Sequence, residues 1–444
     1  MIIDELIVYK NSVHADILED VCSLFEDVSA WEGKKTTAEK ASFVAAISAE
    51  KTKLAFDVVN RIVKLCSEYG FSGNLWRCVL THTLVTDENV FTVGSEIRGD
   101  IGGSLSKIAA HDCAIFRQLF KMDIRKIDVM LGIQIFSILY DYERGRAYGH
   151  FYSRKIRDQI VELSEKLANC GSDSSFFNLI IDFYKEHGVG KFGLNEAFKV
   201  VKAEHGCDIV PITQPVHVRL SDLVGYEIQK QKLKQNTEAF IHGRPANNCL
   251  LFGDAGTGKS TSIKAIANKY YKDGLRIIEI YKHQFCYLTD ILAMIKDRHY
   301  KFIIFMDDLS FEDNETEYKY LKAIIEGGLE KKPDNVLIYA TSNRRHLIKE
   351  SFKDKRTLDD DLHANDTVAE KLSLSARFGV TIYFGKPEKK EYEEIVRVLA
   401  KKNKLDIIDD DLFLEANKWE LSHGGMSGRT ANQFIDYMIG KKTK

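Results

Sequence analysis

Residues Gly253-Asp254-Ala255-Gly256-Thr257-Gly258-Lys259-Ser260 follow the order G-x-x-x-x-G-K-S, with the apolar run Cys249 to Phe252 before them and a helix-forming segment after. Few features constrain a fold as tightly. Glycines let backbone N–H groups turn inward around a polyanion, and the N-terminus of the following helix adds partial positive charge. The stretch therefore predicts strand, phosphate loop and helix, with ATP and Mg²⁺ as ligands. Lys259 is expected to reach the β- and γ-phosphates and Ser260 to ligate the metal, with Thr261 beside it among the cofactor-binding residues. The alternative is a chance glycine turn, which the fit of both pattern and context disfavours.

Polar residues close the neighbouring apolar runs. Lys301-Phe302-Ile303-Ile304-Phe305-Met306-Asp307-Asp308 ends in two carboxylates, where a magnesium-binding strand needs them. Asp307 is the candidate to hold or orient the metal. Asp308 is the candidate to polarise the attacking water, although many such ATPases use a glutamate there, and the shorter side chain predicts slow turnover or adjusted geometry. A plain strand-end carboxylate is the other reading, and Glu312, four residues on, reads as surface. Ile338-Tyr339-Ala340-Thr341-Ser342-Asn343 makes Asn343 a candidate to orient water against the γ-phosphate, or else a turn residue. Leu374-Ser375-Ala376-Arg377-Phe378-Gly379 precedes the last strand and Gly428-Arg429-Thr430 opens a C-terminal helix, so Arg377 and Arg429 join the catalytic candidates; surface ion pairs are their alternative.

All five prolines lie at or beyond Pro211, which leaves a long proline-free first half. Helical stripes run through it: Leu54, Val58, Val59, Ile62, Val63 and Cys66, then Leu105, Ile108, Ala109, Phe116, Leu119 and Phe120. Residues 153–169 and 174–187 add further helices. Pro211 to Pro215 reads as a semi-extended linker. Beyond it, short β-rich runs alternate with helices, which means a parallel sheet flanked by helices. The expected organisation is an all-α region over 1–208 that binds a partner, an α/β nucleotide-binding domain over 209–386 and a helical lid over 387–444.

Balanced charge, 63 basic against 65 acidic residues, gives no overall nucleic-acid footprint. No segment reaches the roughly 18 apolar residues of a membrane span, and Met1-Ile2-Ile3-Asp4-Glu5-Leu6 carries acid where a secretory signal carries positive charge. A cytoplasmic location is expected, with the scattered cysteines as reduced core thiols.

The ordered set of phosphate loop, Asp307-Asp308, Asn343, Arg377 and Arg429 resembles the AAA+ superfamily: Walker A, Walker B, sensor 1, arginine finger, sensor 2. It is closer still to a bacterial AAA+ family catalogued as a domain of unknown function, number eight-fifteen. That resemblance is carried by Leu220-Ser221-Asp222-Leu223-Val224-Gly225-Tyr226-Glu227, Asn236-Thr237-Glu238-Ala239-Phe240, Phe305 to Glu312, Ala340 to His346 and Glu370 to Ser375. It implies a sensor-1 strand between the P-loop and Walker B strands, Val224 and Gly225 beside the adenine, Arg429 approaching the γ-phosphate from the lid, and Arg377 presented to a neighbour's ATP in a ring or spiral of copies. Ala255 and Ala376 depart from the charged residues common in the family.

The Cys78/His82 spacing and the run His111-Asp112-Cys113 suggest metal ligands only weakly. Arg344-Arg345-His346 is as readily a phosphate-site or intersubunit contact as a nucleic-acid one. The leading function is ATP hydrolysis that remodels a macromolecular partner, protein rather than DNA. An ATP-gated adaptor with slow hydrolysis is the alternative, and a DNA-linked loader is less favoured.

Overall fold

The computed structural model describes residues 1–144, 153–311, 315, 317–326, 332–344, 347, 374–405 and 407–442. Glu312, Arg345, His346 and the stretch 370–373, singled out above, lie outside these. Two compact units are present, Met1–Asn195 and Glu196–Lys444.

The first unit is helical: α1 (Ala15–Glu32), α2 (Thr37–Tyr69), α3 (Leu75–Thr86), α4 (Val90–Arg98), α5 (Gly103–Lys121), α6 (Arg125–Leu131), α7 (Arg154–Ala168), α8 (Asp173–His187) and α9 (Gly190–Leu194). Local chemistry marks the ends. Thr36 and Glu39 form a reciprocal capping box at the start of α2, and Gly70 ends it in the left-handed region. The predicted stripes turn inward, with Val58, Ile62 and Cys66 of α2 and Ala109, Phe116 and Leu119 of α5 fully buried in one core.

Two buried carboxylates clasp loops in this unit. Asp112 accepts from the backbone N–H groups of Ile7, Val8 and Tyr9 at 2.8–3.1 Å. Asp128 accepts from those of Ile135, Phe136 and Ser137 at 2.7–3.1 Å and from the Ser137 hydroxyl at 2.7 Å. Tyr9 and Tyr184 share a hydroxyl–hydroxyl bond of 2.7 Å in the core. Cys78 and His82 do not converge on a common point: His82 Nδ1 lies 2.9 Å from His14 Nε2, while burial pushes the Cys78 thiol up to about 12. Among the described residues no group of three His, Cys, Asp or Glu side chains is arranged to hold a metal ion.

The second unit contains a seven-stranded sheet in the order β2-β1-β4-β5-β6-β3-β7. Its strands are β1 (Ala197–Lys202), β2 (Cys207–Pro211), β3 (Cys249–Gly253), β4 (Leu275–Glu279), β5 (Lys301–Met306), β6 (Val336–Ser342) and β7 (Val380–Phe384). All pairs are parallel except β1 with β2. The central strands read as continuous apolar runs because both faces are covered; every residue of β6 is buried. Strand β6 lies between β3 and β5, as the resemblance implied, and the chain has the α/β P-loop fold of the AAA+ class.

One expectation needs correcting. The segment 197–211, assigned above mainly to the all-α region, forms the β1–β2 hairpin that extends the sheet beyond β4. Pro211 is the last residue of the edge strand β2, where a missing N–H is tolerated, and it pairs with Phe198 instead of opening a linker.

Helices α10 (Glu227–Ile241), α11 (Lys259–Tyr270), α12 (Leu288–Ile295) and α13 (Tyr318–Glu326) accompany the strands. After β7 come α14 (Lys389–Lys402), α15 (Asp409–Ser422) and α16 (Gly428–Lys442), which share a small core of their own. Tyr392, Ile395, Val396, Leu399 and Ala400 give α14 its buried stripe at helical spacing. Cys286 is exposed, unlike the core thiols expected of every cysteine.

Candidate functional site

The glycine-rich turn joins β3 to α11 through backbone conformations open to glycine. Gly256 and Gly258 have φ of 76° and 91°, and a Cβ at Gly253 would strike the Phe384 carbonyl. Lys259, at the first turn of α11, is 6% exposed. Its ammonium donates to the carbonyls of Gly253 (2.9 Å) and Asp254 (2.6 Å) and to Asn343 Oδ1 (3.0 Å). An ammonium has three N–H donors, and these bonds engage all three. Burial holds the Lys259 pKa below its ordinary value; Asp254, Asp308 and Asp307 oppose that shift, while Arg429 adds to it.

Asp307 and Asp308 follow β5. Ser260 Oγ donates to Asp307 Oδ1 at 2.5 Å, and Thr341 Oγ1 donates to the same oxygen at 2.6 Å. Asn343 Nδ2 donates to Asp308 Oδ1 at 2.7 Å. Asp308 takes a left-handed backbone, φ 52°, which Asp tolerates better than most residues. Its N–H donates to Thr341 Oγ1 at 2.9 Å, and Leu309 N donates to Thr341 O at 2.7 Å, so the turn is clasped onto the end of β6. The sequence reasoning missed Thr341. The string Ala340-Thr341-Ser342-Asn343 held the signal, since hydroxyls at the end of a buried strand need partners.

These groups open onto a cavity of ≈ 460 Å³, within the range of small-molecule sites. Ala255, Gly256, Thr257, Gly258, Lys259, Ser260 and Thr261 line it with Asp307, Asp308, Thr341, Asn343 and Arg429. Leu223, Val224, Tyr226, Ile395 and Leu399 add apolar surface to the lining, Leu223 close against Gly258. The Arg429 N–H donates to Gly256 O at 3.2 Å, which joins α16 to the loop.

Four expected residues lie elsewhere. Gly225 faces an adjoining groove, and Gly253 and Asp254 act beneath the loop through their carbonyls. Arg377 is half-buried in the turn before β7 and does not line this chain's cavity. Ile395, Leu399 and Asn432 line it without having been singled out. A helical stripe tells that a side chain is covered, not what covers it.

The donor set suits a divalent cation of the magnesium kind, because the Ser260 hydroxyl and the Asp307 carboxylate are hard oxygen ligands set beside the loop. Among the described residues no helix is long and apolar enough to cross a membrane.

A stretch of 79 residues is 33% identical to the replication factor C large subunit of Staphylothermus marinus, covering 18% of each chain, so this chain spans under a fifth of the length of that curated relative. Among solved structures, a RuvB variant of Thermotoga maritima matches at 20% identity over 49% of this chain and 64% of its own, with a TM-score of 0.35. The structure described as the Thermotoga maritima RuvB Holliday junction branch migration motor matches at 15% identity over 49% of this chain and 71% of its own, with a TM-score of 0.31. The sequence profile described as "Protein of unknown function (DUF815)" matches residues 194–442, more than half of the chain, and the chain belongs to that family.

Proposed function

We propose that this protein binds ATP with Mg²⁺ in the 460 Å³ cavity and hydrolyses it to ADP and phosphate to remodel a macromolecular partner. The observation that carries the reading is the meeting of two hydrogen-bonded chains at the loop, Ser260–Asp307–Thr341 and Lys259–Asn343–Asp308. In this reading Lys259 and the loop N–H groups bind the β- and γ-phosphates, and the apolar wall of Leu223, Val224, Ile395 and Leu399 takes the base. Ser260 and Asp307 hold Mg²⁺, which neutralises charge on the phosphate oxygens when bound. Asn343 orients a water against the γ-phosphorus, and Asp308 accepts its proton as the bond to the ADP oxygen breaks. Arg429 meets the γ-phosphate from the lid side.

Arg377 faces the ATP of a neighbouring copy in this proposal, in a closed ring or an open spiral. Its position away from the chain's own cavity supports that role. Such an arginine is worth about 10³ to 10⁵ in rate, so turnover per chain rises steeply with protein concentration. Phosphate release by the full chain tests the proposal. Lys259→Ala should lose nucleotide binding, and Arg377→Ala should bind ATP yet turn it over no faster when concentrated. Concentration-independent turnover that survives Arg377→Ala would defeat the subunit-coupled reading.

A second reading, an ATP-gated adaptor with slow hydrolysis, is favoured by one observation: Asp308 is held by Asn343 in a strained left-handed turn instead of standing free for water. Rapid turnover without any partner excludes it. The names of the compared proteins, a replication factor and a branch migration motor, point to a third, DNA-linked role. ATP-dependent binding of single-stranded DNA at low salt decides between DNA and a protein partner.

A further inference from the structure

The connector from sheet to lid is short: Gly385, Lys386 and Pro387 separate the end of β7 from Glu388, whose side chain takes part in a capping box at the start of α14. Partly buried residues bond its backbone on both sides. Asp254 N–H donates to Phe384 O at 3.0 Å, and Lys386 N–H donates to Asp254 Oδ2 at 3.0 Å, so a single residue of the phosphate loop brackets Gly385. Tyr226, whose ring borders the cavity, donates its hydroxyl to Gly385 O at 2.8 Å. The carbonyl of Asp254 also accepts from Lys259 Nζ at 2.6 Å and from Thr257 Oγ1 at 2.8 Å. One residue thus grips the phosphate-binding lysine with its carbonyl and the lid connector with its N–H and carboxylate.

We infer that Asp254 is a positioning residue that couples the place of Lys259 to the angle of the helical lid; the inference deepens the ATPase reading and rests on it. A phosphate drawing Lys259 off the Asp254 carbonyl removes one of the restraints on that peptide. The two bonds to Phe384 and Lys386 carry the change to the connector, where Pro387 restricts φ and concentrates the motion at Gly385. The coupling runs through hydrogen bonds that a substitution can remove singly, leaving Lys259 and the glycines in place.

The test uses the full chain and two variants: Asp254→Ala removes the acceptor and Asp254→Asn keeps it. Steady-state ATP hydrolysis is measured together with amide exchange of the peptide spanning 384–388, with and without Mg-ATP. Asp254→Ala should keep KM within about threefold and lose about tenfold in kcat, the size of a typical coupling between linked elements. Its connector amides should exchange faster without nucleotide and lose their response to ATP. Asp254→Asn should restore both. Wild-type behaviour of Asp254→Ala in rate and exchange overturns the inference alone, as does an effect confined to KM or a failure of Asp254→Asn to rescue. Absence of ATP turnover in the wild-type chain, unchanged by Lys259→Ala, overturns the ATPase reading and the inference with it.

Discussion

Each unit contains carboxylates with several hydrogen-bond donors, and the donors differ in kind. In the helical unit, Asp112 and Asp128 are buried, and most of their donors are backbone N–H groups of nearby loops. In the second unit, Asp307 and Asp308 are exposed, and the side-chain donors to their carboxylates are Ser260, Thr341 and Asn343. A backbone N–H cannot leave without moving the chain. A hydroxyl or carboxamide needs only a rotamer change, at a cost of order 1 kcal/mol. The first kind of carboxylate fixes structure, whereas the proposed function asks the second to exchange its partners for a metal or a water.

The sharpest way to break that contrast is to neutralise one carboxylate of each kind. Asp308→Asn should lower ATP turnover by about 10² to 10⁴, the usual contribution of a general base, and leave thermal stability and ATP binding nearly intact. Phosphate release beside a nucleotide titration checks both halves, and an equal loss of stability would erase the distinction. Asp112→Ala should do the reverse, since it leaves three N–H groups without their acceptor. It should cost about 3 kcal/mol of folding free energy and leave nucleotide affinity unchanged. Urea unfolding followed by tryptophan fluorescence in a Trp419→Phe background reports this, because the remaining Trp31 and Trp76 both belong to the helical unit.

A smaller effect comes from acid. Burial, reinforced by His14, lowers the His82 pKa from 6.5 to about 3. Between those values the unfolded chain binds a proton that the folded chain refuses, so stability falls as pH falls, by about 1.4 kcal/mol per unit for this group. At pH 5 the helical unit should have lost roughly 2 kcal/mol relative to neutral pH from this histidine. His82→Gln should flatten the slope of unfolding midpoint against pH between 6.5 and 4; an unchanged slope would place the acid sensitivity in other groups.

Much of the candidate site was legible in sequence because its chemistry is local. The phosphate loop is one contiguous string, and Asp307 and Asn343 each end an apolar run whose length and composition mark a buried strand. What escaped depends on distant pairing. Residues 197–211 carry few marks of a sheet: two short strands, one ending in proline, stabilised by lateral bonding to β4 that no local pattern reports. Val224 was expected beside the base and lines the cavity, but Ile395 and Leu399 arrive from some 170 residues away in sequence, on a helix whose spacing announces only a buried face. Asp254 was read as one more loop residue. Its carboxylate bond to Lys386 joins positions 132 apart.

The hydroxyl bond between Tyr9 and Tyr184 joins the beginning of the helical unit to nearly its end, 175 residues apart. During synthesis at roughly 5–20 residues per second, Tyr9 would wait about 10 to 35 s for its partner to be made. Throughout that interval Tyr9, which belongs to the finished core, lacks the cover that α8 gives it. Closure of this unit therefore waits on α8, so defects in α8 should lower the yield of soluble protein more than the melting temperature of the molecules that do fold.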